Sequence, residues 1–249
     1  MADTRAQSIT DRLTSTERDR SSPNVRPKDA AALIIIDREG PSPKVLMGRR
    51  HAGHKFMPGK FVFPGGRIEG GDRSMPVAGA LHARAEAALL ARVIRPSASR
   101  ARALALAAIR ETFEETGLIL GTKEHGPPEG VPEGPWGAFR EHGVFPDLEA
   151  LQVIARAITP PRRPKRFDTR FFAIDRTAIA AEVGGAVGPD AELVELAWVT
   201  LPEAKRLDLP VITLTILEDL EDRIAQGFAP ELPVPFYREH RGRFVRELL

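Results

Sequence analysis

The chain has 249 residues, of which 42% are hydrophobic and 28% charged, a composition typical of a globular protein with one large domain. Its formal net charge of +2 gives no reason to expect nucleic acid or an anionic membrane as a partner. The absence of cysteine excludes disulfides, thiolate metal sites and cysteine nucleophiles, and no apolar run approaches the roughly 20 residues of a membrane span. We therefore expect a cytoplasmic protein with neither a nucleic-acid nor a membrane partner.

The two ends of the chain lack the hydrophobic periodicity of packed elements. Residues 1–28 are rich in Ser, Thr, Arg and Asp, contain no apolar segment of a secretory signal, and carry the acidic residues that transit peptides avoid. We predict a flexible N-terminal tail over residues 1–28, a folded domain over 29–226 and a C-terminal tail over 227–249.

The first part of the domain is predicted to consist of strands joined by turns. Residues 31–37 (AALIIID) form a β-branched apolar run that predicts a buried strand, and Lys44–Arg50 predicts its hairpin partner. Residues 61–63 (FVF) predict a third strand. The Pro-Gly-Gly sequence at 64–66 then forces a tight turn in which the backbone can approach another group closely.

The middle of the chain is predicted to be mainly helical. Residues 73–100 are rich in Ala, Leu and Arg and predict one helix, after which Ser97 or Ser99 caps the next helix. Residues 121–137 are rich in Gly and Pro and predict a loop. Residues 147–158 indicate a short amphipathic helix.

The remaining elements complete the predicted fold class. The basic segment 160–166 (PPRRPKR) is favoured as a surface linker, with a phosphate-binding patch as the alternative. Strands are predicted at 167–175 and 192–200, and helices at 202–207 and 211–226. This order of elements predicts an α+β domain, an α/β/α sandwich with a mixed sheet between helices.

A cluster of acidic residues stands out in the helix that follows Ser97. At about 100° per residue, Glu111, Glu114 and Glu115 fall on one side of the helix, and Phe113 points to the other side. Like charges at this spacing cost roughly 0.2–0.5 kcal/mol for each pair. Two interpretations remain: a solvated acidic face, or a site for a divalent cation such as Mg²⁺ or Mn²⁺, which carboxylate oxygens suit.

Together, the glycine turn and the acidic cluster resemble the Nudix box, G-x5-E-x7-R-E-U-x-E-E-x-G-U with U aliphatic. The second half of the box is matched by Arg110, Glu111, Glu114, Glu115, Gly117 and Leu118. In the first half, Gly66 is followed at the spacing of the family by Asp72 in place of Glu. However, 37 residues separate Asp72 from Arg110 where the family has seven, and this insertion is similar to one found among eukaryotic coenzyme A diphosphatases.

A second pattern concerns the substrate. Coenzyme A diphosphatases of the family carry a run resembling R-[SA]-x3-R-x3-G-x3-F-P-G-G, of which this chain matches Arg50, Gly59 and the residues from Phe63 to Gly66. Lys55 stands at the second arginine position and can meet a phosphate as a point charge. The resemblance therefore implies CoA or an acyl-CoA as substrate.

The resemblance also implies a mechanism, the hydrolysis of a nucleoside diphosphate linked to another group with Mg²⁺ or Mn²⁺ as cofactor. Glu111, Glu114 and Glu115 are the expected metal ligands, the Gly66 carbonyl is a further one, and Arg110 orients the carboxylates. Arg50, Lys55 and Gly65 are the expected substrate-binding residues. The general base is left open between Glu114, Glu192 and Glu195.

Other functions fit the same residues. The substrate of a Nudix enzyme can instead be 8-oxo-dGTP, ADP-ribose, NADH or a dinucleotide polyphosphate. A Nudix-fold module that binds a nucleotide without cleaving it is the alternative from another class. The inserted segment 73–100 is favoured as a plain packed helix over a lid or the contact of a homodimer.

Overall fold

The structure is a computed structural model that describes residues 2–54 and 57–249. Its helices are α1 (Ala2–Ser15), α2 (Ala83–Leu90), α3 (Ala98–Thr116), α4 (Gly137–Glu141), α5 (Leu201–Ala204) and α6 (Val211–Ala225), with 3₁₀ turns at Gly71–Arg73 and Arg176–Ala178. Its strands are β1 (Lys28–Asp37), β2 (Lys44–Arg50), β3 (Phe61–Val62), β4 (Gly65–Arg67), β5 (Leu118–Leu120), β6 (Gln152–Ile158), β7 (Phe167–Asp175), β8 (Ile179–Glu182), β9 (Leu193–Thr200), β10 (Pro235–His240) and β11 (Arg243–Leu248).

A nine-stranded sheet forms the middle layer of the fold. Its order is β11-β10-β6-β7-β1-β2-β3, with β4 also pairing with β1 and β9 with β2. Strand β1 runs parallel to β7 and antiparallel to β2, so the sheet is mixed. Strands β5 and β8 form a separate two-stranded sheet. The predicted mixed sheet between helices is confirmed. None of the helices in the described ranges is long and apolar enough to cross a membrane.

Strand β1 lies at the centre of the sheet and is buried on both faces. Leu33 and Ile35 belong to the core beneath α3, whereas Ile34 and Ile36 belong to the core beneath α6. A strand covered on both faces shows a continuous apolar run rather than an alternating one, which explains the sequence of this segment. The predicted hairpin with β2 is confirmed.

The prediction of a flexible N-terminal tail is wrong for residues 2–15, which form α1. Ile9 and Leu13, one helical turn apart, are buried against the α6 side of the sheet. Arg12 forms a charge-assisted hydrogen bond with Glu218 of α6 at 2.9 Å. A single apolar pair among polar residues gives too weak a period to reveal the helix in the sequence.

Three further predictions are corrected. The segment 147–158 contains strand β6 rather than a helix, and the C-terminal tail contains β10 and β11, which extend the main sheet. The segment 73–100 is not one helix, because only Ala83–Leu90 is helical before α3 begins at Ala98. In β6 the central side chains are buried on both faces, so the alternation that would have indicated a strand is missing.

Candidate active site

The acidic cluster lies on α3, and the local sequence fixes both ends of this helix. The Ser97 hydroxyl accepts a hydrogen bond from the backbone N–H of Arg100 at 3.2 Å, as an N-cap residue does. Gly117 ends the helix with φ at 78°, in the left-handed region that favours glycine. The helix therefore holds Glu111 and Glu115 one turn apart on the same face.

The glycine turn packs directly against these carboxylates. Strand β4 places Gly66 beside Ala31 of β1, and the backbone N–H of Gly65 donates to the Glu115 carboxylate at 3.2 Å. A Cβ atom at Gly66 would overlap the carboxylate of Glu111, so a larger residue there would displace that side chain. The structure thus brings together the two motifs that the sequence separates by more than 40 residues.

Arg110 is the centre of the hydrogen-bond network behind the acidic face. Its Nε and Nη2 donate to the two oxygens of Asp72 at 2.8 and 3.1 Å, and Nη2 also donates to the Arg67 carbonyl at 2.7 Å. Its Nη1 donates to Glu111 at 3.1 Å and to Glu114 at 2.7 Å. The five N–H donors of a guanidinium are therefore all used within the protein, and Arg110 can orient these carboxylates but has no donor left for a substrate.

Asp72 belongs to the site in the structure but was not among the predicted site residues. Its side chain is completely buried, and Arg110 binds it in the two-point geometry that arginine makes with carboxylates. The 3₁₀ turn Gly71–Arg73 packs on α3, so the insertion between Asp72 and Arg110 leaves this contact in place. The signal in the sequence was the spacing of Asp72 after Gly66, which matches the Nudix box.

Burial and repulsion raise the pKa values of the two acids nearest the glycine turn. Burial raises the pKa of Glu111 to about 6, with Arg110 opposing the shift and Glu114 adding to it. Burial also raises the pKa of Glu115 well above its ordinary value, and the charges of Glu192 and Glu111 add to that effect. These carboxylates are therefore short of positive charge.

Arg50 and Glu192 border the cluster on the side of β2 and β9. Nη2 of Arg50 lies 2.8 Å from the Glu192 carboxylate and 3.3 Å from Nδ1 of His54. The Nε of Arg50 is buried and has no hydrogen-bond partner among the described residues. The pKa of Glu115 is raised overall, and the positive charge of Arg50 is one of the contributions that oppose this rise. Arg50 thus keeps an unused donor beside the acids.

The three candidate general bases lie in different surroundings. Glu195 pairs with Arg49 at 2.7 Å, and both side chains are nearly half exposed. Among the three candidate bases, Glu195 is therefore the one that lies apart from the acidic cluster. Glu114 is partly exposed and bound to Arg110, and Glu192 lies near Glu115. Lys55 lies outside the described residues.

The residues present fit a hard divalent cation. Glu111 and Glu115 lie against the glycine turn, and neighbouring negative charges, of Glu114 on Glu111 and of Glu192 on Glu115, add to the rise that burial causes in their pKa values. A cation would stabilise the charged forms of both carboxylates. Within residues 2–54 and 57–249, no group of three or more His, Asp or Glu side chains is arranged so that it could hold a metal ion, and this includes the predicted set Glu111, Glu114 and Glu115. Mg²⁺ is commonly held by only one or two carboxylates, with water and substrate phosphates as the remaining ligands.

Comparisons with known proteins concern the family and the fold of the chain. No protein-family model matches the chain. The chain is 27% identical over 236 residues to the acyl-coenzyme A diphosphatase NUDT19 of Gallus gallus, a match that covers 71% of this chain and 62% of that relative, less than two thirds of its length. It is similar to the crystal structure of a NUDIX hydrolase from Alicyclobacillus acidocaldarius, with a TM-score of 0.58, 25% identity and coverage of 78% of this chain and 90% of that one. These likenesses confirm the resemblance to the Nudix hydrolases and the predicted α+β fold.

Proposed function

We propose that this chain, which has the fold of the Nudix hydrolases and a sequence that resembles their box, cleaves a nucleoside diphosphate linked to another group, with CoA or an acyl-CoA as the substrate. The observation that carries the proposal is the packing of the buried Glu115 and the partly buried Glu111 together against the glycine turn. A purely structural role would favour replacing such mutually repelling buried acids by neutral residues.

Each residue of the site has a role in the proposed reaction. Glu111 and Glu115, with Glu114 and the Gly66 carbonyl, would hold Mg²⁺ or Mn²⁺, which when bound neutralises the diphosphate and activates water. Arg110 keeps these carboxylates in place through its hydrogen bonds with Glu111 and Glu114. The guanidinium of Arg50, at the border of the acidic site, is suited to donate to a phosphate oxygen, a role shared with Lys55.

We assign the general base to Glu192. Its position near Glu115 and Arg50 supports the assignment. The carboxylate accepts a proton from the attacking water while the water oxygen bonds to phosphorus and the bridging P–O bond breaks, so the second phosphate leaves with the electron pair. Glu114 is the alternative base, and its carboxylate, like that of Glu192, is bound by an arginine.

Two observations support CoA over other diphosphates. One is the similarity to a protein named as an acyl-coenzyme A diphosphatase. The other is the match of Arg50, Gly59 and the residues from Phe63 to Gly66 to the pattern of such enzymes. The competing substrates stay ADP-ribose, NADH, dinucleotide polyphosphates and 8-oxo-dGTP. Cytoplasmic location, absence of a nucleic-acid partner and a homodimer stay predictions.

A panel of substrates tests the proposal directly. CoA, an acyl-CoA, NADH, ADP-ribose, a diadenosine polyphosphate and 8-oxo-dGTP are incubated with the protein in Mg²⁺ or Mn²⁺, and the products are separated by chromatography. CoA is expected to give 3′,5′-ADP and 4′-phosphopantetheine. Cleavage of another compound with CoA inert would contradict the CoA assignment. If the protein bound one of these nucleotides without cleaving any, the chain would be a binding module.

A further inference from the structure

Several connections meet at the end of the sheet where β1 begins. Lys28 of β1 pairs with Phe167 of β7, and Ile158 of β6 pairs with Asp168, so the β6–β7 connection lies at this end. Strand β10 runs parallel to β6, which brings the β10–β11 turn to the same end. We define the basic end as segments 16–28, 91–97, 159–166 and 240–243.

Hydrogen bonds and ion pairs tie these segments together. Arg163 donates to the carbonyl of Asp19 at 3.0 Å, and Arg20 pairs with Glu239 at 2.8 Å. The segment before α3 is held by Arg100, whose Nη1 donates to the Ile94 carbonyl at 3.1 Å while its Nε binds Asp29. The basic end is therefore one surface rather than four independent loops.

The exposed charge of this surface is strongly one-sided. The exposed acidic residues in its four segments are Glu17 and Asp19. The exposed basic residues are Arg20, Arg26, Lys28, Arg92, Arg95, Arg162, Lys165, Arg241 and Arg243. Since the whole chain carries a formal net charge of only +2, positive charge is concentrated here and depleted elsewhere. A surface of this kind attracts a polyanion.

Exposed apolar side chains accompany the charge. Among the described residues, the large hydrophobic side chains that are exposed are Val25, Ile94 and Leu248, at 43%, 75% and 58%. The first two lie in the basic end, and Ile94 is flanked by Arg95 and, two residues before it, Arg92, both with positive φ. Apolar side chains that project between cations suit the boundary between lipid headgroups and acyl chains.

We propose that the basic end is a docking surface for an anionic phospholipid membrane. Proteins that bind single-stranded nucleic acids stack bases mainly on Phe, Tyr and Trp, and no such side chain in the described ranges is exposed. The exposed apolar side chains of Val25 and Ile94 therefore favour lipid over nucleic acid. The expectation of no membrane partner rested on the lack of a spanning segment, which a protein bound at the surface does not need. This proposal is independent of the proposed activity.

Vesicle binding by the full chain tests the proposal. Vesicles of phosphatidylcholine alone and of phosphatidylcholine with about 30% phosphatidylglycerol are titrated with protein at low and high salt. Binding is expected only to the anionic vesicles, and it should weaken steeply with salt. The test variant combines Arg26→Glu, Lys165→Glu and Arg241→Glu, because these side chains form no ion pair in the described part of the chain. The matched control combines Lys123→Glu, Arg140→Glu and Arg206→Glu, which reverse three exposed cations elsewhere.

The variants measure separately how much the charges and how much the apolar side chain of Ile94 contribute to vesicle binding. Loss of each cation should weaken binding roughly fivefold, so the triple variant should lose at least about 100-fold and the control far less. Ile94→Ser should cost roughly tenfold without changing the salt dependence. Unchanged thermal unfolding of each variant shows that the fold is retained. Equal binding to both kinds of vesicle, equal losses in variant and control, or preferential binding of a single-stranded oligonucleotide would overturn the proposal.

Discussion

Helix α3 takes part in two buried ionic networks that differ in their balance of charge. Near its first turn, Arg100, Asp29, Arg170, Asp168 and Arg156 form a ladder in which cations and anions alternate. Each aspartate of the ladder contacts two arginines at 2.6 to 3.1 Å. Eleven residues after Arg100 on the same helix, the acidic site begins with Glu111.

In the acidic site the balance is reversed. Arg110 is surrounded by Asp72, Glu111 and Glu114, and Glu115 beside them receives no hydrogen bond from a cationic side chain in the described part of the chain. In the ladder three arginines face two aspartates, so every carboxylate has its cations, although Nε and Nη2 of Arg170 have no hydrogen-bond partner among the described residues. A site with an excess of buried carboxylates is complete only when a cation joins it, so the difference separates a structural network from a functional one.

The largest expected effect is the loss of stability when the ladder is broken. Asp168→Asn replaces a carboxylate that binds Arg156 at two points by an amide whose NH₂ faces the guanidinium. We expect the free energy of unfolding to fall by about 3–5 kcal/mol, because buried arginines are left without their counter-ion. Denaturant unfolding measures the change, and turnover per folded molecule should stay at the wild-type level.

Two other variants make this prediction specific. Asp190→Asn, a change at an exposed position, is the control and should leave stability within about 0.5 kcal/mol. Asp72→Asn is the equivalent change beside Arg110 and should lower both stability and turnover, because Arg110 would no longer be fixed. If Asp168→Asn abolished turnover of the folded protein, the ladder could not be regarded as purely structural.

The second effect separates activity from stability in the acidic site. Glu115→Gln keeps the size of the side chain and the acceptor for the Gly65 N–H, but it removes one buried negative charge. We expect metal-dependent turnover to fall by at least about 100-fold, the size of a lost catalytic electrostatic group. Thermal stability without metal should hold or rise, since repulsion with Glu111 is relieved. A variant with wild-type turnover would refute the assignment of Glu115 to the metal site.

The sequence revealed the acidic site better than the ladder. The three glutamates and the glycine turn could be found because helical spacing and close backbone approach are local properties. Asp72 could not be assigned, because its partner Arg110 lies 38 positions away and the length of an insertion says nothing of where its ends meet in space. The ladder residues are spread over four elements, and only pairing of β1 with β7 and of β6 with β7 brings them together.

Contacts between distant parts of the chain also explain why some elements of the fold were predicted wrongly. Strand β7 was predicted with the bounds found in the structure, because its aromatic and apolar residues form a compact run between polar segments. Strand β6 contains alanines and is buried on both faces, so its pattern suits a helix equally well. Helix α1 depends on Ile9 and Leu13 alone, and their burial comes from contacts with distant parts of the chain.

The third effect uses pH to distinguish the two networks. Burial raises the pKa of Glu111 from 4.5 to about 6, so the folded state binds more protons than the unfolded state between these values. The stability due to the protonated carboxyl is complete below pH 4.5 and is lost as pH rises to about 6. With metal removed by EDTA, Glu111→Gln should therefore be more stable than the wild type above pH 6, by about 2 kcal/mol, and this difference should vanish near pH 4.

For the ladder, stability should change with pH in the opposite direction. Burial alone would raise the pKa of Asp29, but the hydrogen bonds and charges of Arg100 and Arg170 outweigh it and lower the pKa. Its contribution is present above the ordinary value of 3.8 and is lost on acidification. Asp29→Asn should thus be less stable than the wild type at neutral pH and approach it at pH 2–3. Thermal melts across pH measure both variants, and the same sign for both would contradict the contrast in charge balance.

The smallest effect compares two ion pairs of strand β2, one with Glu195 of β9 and one with Glu192, the residue just before β9. Arg50 pairs with Glu192 and Arg49 pairs with Glu195, and the register of the two strands shifts between Arg49 and Arg50. Adjacent residues of a strand face opposite sides, so one pair borders the acidic site and the other faces solvent. Glu192→Gln should lower kcat about tenfold and shift its acidic pKa limb, as expected for a base, whereas Glu195→Gln should change neither. Equal effects of the two variants would mean that Glu192 acts only by holding the strands, because that role is common to both pairs.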